Sequence, residues 1–73
     1  MLAKMQARVE KWDKELKDNG GIVPASWIPI LDDIKLICEL IGFFRLLLPK
    51  QVCEALDAII AAINLAEQNS TPA

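Results

Sequence analysis

The sequence predicts an all-helical domain of three helices. Helices 2 and 3 form an antiparallel hairpin, and an amphipathic N-terminal helix is joined to them by a Gly/Pro connector. Three observations lead there. Apolar residues recur three and four apart along most of the chain, which is the period of one helix face. Glycine and proline are gathered at 20–29, at 42 and 49, and near the C-terminus, where they punctuate the periodic segments. A chain of 73 residues also holds only one domain, and at this size it buries about 60% of the surface its unfolded form exposes.

Helix 1 is expected from about Leu2 to Lys17. Leu2, Met5, Val9, Trp12 and Leu16 follow one another at spacings of three, four, three and four, a single apolar stripe. Glu10 with Lys14 and Asp13 with Lys17 are acidic-before-basic pairs four apart, each supporting an exposed helical face by ~0.2–0.5 kcal/mol. Asp18-Asn19-Gly20-Gly21 ends the helix, since glycine accepts the left-handed conformation of a C-terminal cap. The stripe covers little more than two heptads, too few for a free-standing coiled coil.

The connector, 18–28, carries two glycines, Pro24 and four large apolar residues, Ile22, Val23, Trp27 and Ile28, all four expected to pack against something. Ser26 is placed to cap helix 2, with Pro29 in its first turn, where a missing N–H costs nothing. Asp32 and Asp33 then lie at the positive end of the helix dipole. That explains the acidic pair better than a metal site does, since no third ligand stands at a supporting spacing.

Helix 2 is expected from about Trp27 to Leu47, with one apolar face made of Ile30, Leu31, Ile34, Ile37, Cys38 and Ile41. Leu36, Leu40, Phe43 and Leu47 form a second, opposite stripe. A helix with two apolar stripes wants neighbours on two sides and is expected to be the central element. Gly42 is read as an interior residue with a kink, because continuing through one glycine costs only ~1 kcal/mol. Asp32, Lys35 and Glu39 read as one solvated polar strip rather than a proton-transfer cluster. Arg45 is expected to snorkel to solvent at the bundle end, with a carboxylate across the turn or on a partner as the alternative.

Pro49 bounds helix 3, expected from about 49 to 68. Val52, Leu56, Ile59, Ile63 and Ala66, widened by Cys53 and Ile60, make its core stripe, and Lys50, Glu54, Asp57, Asn64 and Gln68 gather opposite. Ala55, Ala58 and Ala62 line one flank, where small side chains permit close helix approach. Residues 69–73 read as a flexible tail.

Composition bounds function by exclusion. Eight basic and ten acidic residues leave a net charge of −2, which lacks the basic field that nucleic acid requires, and neither tryptophan sits among interleaved basic and aromatic residues suited to base stacking. The N-terminus carries interleaved charges and no apolar core run, so the expectation is a cytoplasmic protein, or one within an assembled particle, without a secretory signal. Charged residues interrupt every apolar stretch before it reaches membrane-spanning length. Histidine and tyrosine are absent, no nucleophile stands with a base, and no enzyme, metal or cofactor is expected. Cys38 and Cys53, the only cysteines, read as unpaired core thiols.

What remains is apolar surplus. The chain is 53% hydrophobic with a positive mean hydropathy, more than so small a domain readily hides. The expected function is therefore a small self-associating interaction or structural assembly protein, working as a homo-oligomer or with a helical protein partner. Its short, apolar, helical character suits a phage accessory or virion component. Expected interface residues are Trp12, Trp27, Leu36, Leu40, Phe43, Leu47, Ala55, Ala58 and Ala62, with Trp27 also placed to anchor helix 1 on the other two. The alternatives are a peripheral protein using its apolar faces and Trp12 at a membrane surface, or an oligomer sequestering a small ligand between subunits.

Overall fold

A computed structural model of the chain describes residues 2–70. It is 85% helical, and among the described residues there is no strand. Three α-helices, α1 (Leu2–Asp18), α2 (Leu31–Gly42) and α3 (Lys50–Ser70), are linked by two 3-10 segments, Ala25–Ile30 and Arg45–Leu47.

The central element is α3, which takes α1 on one side and α2 on the other. This corrects the expectation that helix 2 would be central. Val52, Leu56, Ile59 and Ile63 of α3 are all buried, with Cys53, Ile60 and Ala66 packed at the margin. A full 21-residue helix presents enough contiguous stripe for two neighbours. The segment that remains α-helical in α2, 12 residues, does not. From α1, Val9, Trp12 and Leu16 enter the core, and from α2, Ile34, Cys38 and Ile41. Val23, Trp27 and Leu48 complete it from the connecting segments.

The hairpin is antiparallel, and two ion pairs fix its register. Lys35 Nζ lies 2.9 Å from Glu67 Oε1, and Arg45 Nη2 lies 2.7 Å from Asp57 Oδ2. Ten residues forward along one arm correspond to ten residues back along the other. Arg45 thus reaches across the turn rather than snorkelling freely.

Helix 2 is shorter than its apolar periodicity suggests. At its start, Pro29 has no N–H to give and disfavours helical geometry at the residue before it. The chain accordingly winds as a tighter 3-10 turn, opened by the Trp27 N–H donating to the Pro24 carbonyl at 3.0 Å. Ile30, at φ −121°, breaks the winding before α2 begins. Pro29 therefore lies ahead of α2 rather than in its first turn, and Ser26 sits inside the 3-10 segment and caps nothing. Asp32 and Asp33 do occupy the first turn of α2.

At its end, the N–H groups of Phe43 and Phe44 donate three residues back, to Leu40 and Ile41 at 3.2 and 2.9 Å. Pro49 requires an extended residue before it, and Leu48 adopts φ −105°, ψ 149°. Gly42 is thus a terminus, not a kink within a longer helix.

The exit from α1 follows the glycine pair. Gly20 and Gly21 have φ of 73° and 80°. The Gly21 N–H donates to the Leu16 carbonyl at 2.8 Å and the Gly20 N–H to the Lys17 carbonyl at 3.1 Å, the two reciprocal bonds of a Schellman cap. Asp13 and Lys17 pair at 2.9 Å one turn earlier. At the other terminus, Asn69 and Ser70 belong to α3 rather than to a tail, and 71–73 lie outside the described residues.

Candidate functional site

The nine residues singled out from the sequence separate into two groups. Trp12 and Trp27 are buried in the chain's own core, where their rings meet edge to face with centroids 6.3 Å apart and an interplanar angle of 64°. The connector folds back so that Trp27 closes over α1, and the Arg8 guanidinium covers the Trp12 ring at 5.6 Å. Trp27 meets α1 through Trp12, and both rings are buried in the chain's own core rather than on an outer face. Ala55 and Ala62 pack against the core. Ala55 and the exposed Ala58 also line an open cleft beside Glu10, Asp13 and Lys17 of α1. The small-residue flank of α3 therefore accommodates α1.

The second group faces outward. Leu36 and Leu40 on α2 are 57% and 51% exposed, and Phe43 and Leu47 beyond its end are 83% and 65% exposed. Because α2 stops at Gly42, these four run along the helix and off its end onto the hairpin tip, the segment that also carries Leu46, 98% exposed. The sequence did not mark Leu46, since a continuous helix would have placed it off the stripe. Ile30, expected on the core face, is exposed for the same reason at the other end, where the 3-10 winding rotates it outward. Of the four connector residues expected to pack, Val23 and Trp27 do, while Ile22 and Ile28 are exposed.

Charge around this face is uneven. The Lys35 ammonium is held above its ordinary pKa by its hydrogen bond to Glu67, and the Arg45 guanidinium is raised likewise by Asp57. Asp32, Asp33 and Glu39 close no ion pair within 4 Å among the described residues. On the opposite side of α2, Lys4 and Arg8 of α1 border a cleft of about 250 Å³ whose other walls are Met5, Ile37, Leu40 and Ile41.

The thiols differ. Cys38 is fully buried, and that burial, with the nearby Glu39 charge, pushes its pKa up to about 11. Cys53 is half-buried, its thiol donating to the Arg45 carbonyl at 3.2 Å. Both are unpaired. Among the described residues, no cluster of histidine, cysteine, aspartate or glutamate could hold a metal ion, and no helix is long and apolar enough to cross a membrane. The arrangement offers recognition chemistry: an apolar strip with ionic borders. In comparisons with known proteins, no protein family, no curated protein and no solved structure matches this chain.

Proposed function

We propose that this chain works by association, as a small helical assembly protein that pairs with itself through the outer face of α2. One observation carries the reading. The chain's own core is closed, yet Leu36, Leu40, Phe43 and Leu47 remain in water. Those side chains are not needed to complete the fold. Each gains ~1.5–3 kcal/mol on full burial, and large contiguous apolar surface of this kind marks interaction sites. About 1,000 Å² of apolar burial between two copies corresponds to roughly 25 kcal/mol before costs. Lost rigid-body freedom, side-chain ordering and polar desolvation offset most of that gross figure, and only the surplus favours pairing. Light scattering over a dilution series tests it: at least a dimer is expected at micromolar concentration without detergent. A well-folded monomer at high concentration would refute it.

A second reading is favoured by the hairpin tip, where Phe43, Leu46 and Leu47 protrude beside Arg45 and Lys50. Such a tip suits shallow insertion into an anionic bilayer. Flotation with anionic and neutral vesicles separates the two, since an assembly protein stays with the protein fraction in both.

A further inference from the structure

Building on the self-association reading, we infer that two copies pair with their α2 helices parallel, so that Glu39 of each meets Lys4 and Arg8 of the other. The seam comes first. Leu36 and Leu40 lie four apart on the outer face of α2, and Phe43 and Leu47 carry the apolar strip past the helix end at Gly42 onto the 3-10 tip. Around Leu40 the two borders of that stripe differ in charge, while Asp33, on the Ile37 side, stands at the helix start. On the Ile37 side lies α1, with Lys4 and Arg8 at the rim of the cleft they share with Ile37 and Leu40. On the Lys35 side, toward α3, lies Glu39, with Asp32 about two turns before it and no close ion pair among the described residues.

A two-fold axis running along parallel helices swaps the two borders, so each copy's acidic edge faces the other's basic edge at the same height. An axis across antiparallel helices keeps like borders together, placing basic against basic and acidic against acidic. The ends of the stripe agree. Asp32 and Asp33 stand at its start and Phe43 and Leu47 at its finish. Antiparallel pairing would lay the exposed Phe43 over the partner's carboxylates. Parallel pairing buries Phe43 and Leu47 against their own counterparts and leaves the aspartates at the open end of the crossing, where water screens them.

Sedimentation of the full chain and two charge variants tests this. Glu39→Lys alone, and Lys4→Glu with Arg8→Glu together, are each expected to weaken self-association by about tenfold or more at low salt. An equimolar mixture of the two variants should restore it, because the mixed pair has opposite charges at both borders. A misfolded variant cannot be rescued by mixing. Leu47→Cys in a Cys53→Ala background should cross-link copy to copy on oxidation. If the parent associates but the variants do so equally well, or the mixture fails to recover, the parallel register is wrong while assembly stands. If the parent is monomeric, or floats with anionic vesicles instead of associating, both fall.

Discussion

The helices α3 and α2 are both rich in leucine and isoleucine, yet they end in different situations. On α3 the large apolar residues lie mostly on one side, with Lys50, Glu54, Asp57, Asn64 and Gln68 on the other, all exposed. Its apolar stripe is consumed by α1 and α2. On α2 the apolar residues lie on two sides, and only one of them finds a neighbour within the chain. Two helices can thus have similar composition and opposite roles, because the angular distribution of apolar groups, rather than their number, decides how many neighbours a helix requires.

The contrast is open to breaking at both helices. The largest effect on folding belongs to α3. Leu56→Ala removes a side chain with no exposed surface and should cost ~2–5 kcal/mol in denaturant unfolding, whereas Leu40→Ala on α2 should leave the unfolding of a dilute sample nearly unchanged. Next comes association. Leu40→Asp or Phe43→Asp should weaken self-association about a hundredfold, roughly 2.7 kcal/mol, while circular dichroism shows helix content preserved. Simple unfolding of either variant from a monomeric parent would assign the outer stripe to the internal core.

Cys38 sharpens the comparison from the buried side of α2. Below pH 9 its thiol is protonated whether the chain is folded or not, and it contributes nothing to pH dependence. Between pH 9 and about 11 the unfolded thiol ionises and the folded one does not, so unfolding releases a proton and stability falls as pH rises. The loss approaches ~3 kcal/mol at most, and Cys38→Ala should flatten that part of the profile. At neutral pH a thiol reagent should label Cys53 well before Cys38. Equal rapid labelling of both in native buffer would contradict the buried placement. The smallest effect lies outside both helices. At Gly20 an added Cβ meets no atom within 4 Å, so Gly20→Ala should cost only the conformational penalty of a left-handed alanine, about 1 kcal/mol by thermal melting.

The helices most legible in the sequence were those with one stripe. Periodicity located α1 and α3 to within one or two residues of their observed bounds, because a single apolar face has one way to be buried. The extent of α2 was less legible. Apolar periodicity continues through Ile28, Phe43 and Leu47, but a 3-10 turn tolerates almost the same spacing, and the decisive restraints come from Pro29 and Pro49 acting on their neighbours. The outer stripe was visible as a pattern, and its four residues are exposed. The Trp12–Trp27 contact and the Lys35–Glu67 pair were not visible, since each depends on the path of a connector or the register of a hairpin. Local spacing encodes neither.

The edge-to-face tryptophan pair has a spectroscopic consequence. The chain has two tryptophans and no tyrosine, so its ultraviolet emission arises at one junction, between α1 and the connector that covers it. Emission then reports the docking of α1, while far-ultraviolet dichroism reports helix content throughout the chain. If the two melting curves superimpose, the three helices unfold as one cooperative unit. If emission changes first, α1 leaves while the hairpin persists, and the temperature gap between the curves measures how firmly the aromatic contact holds it.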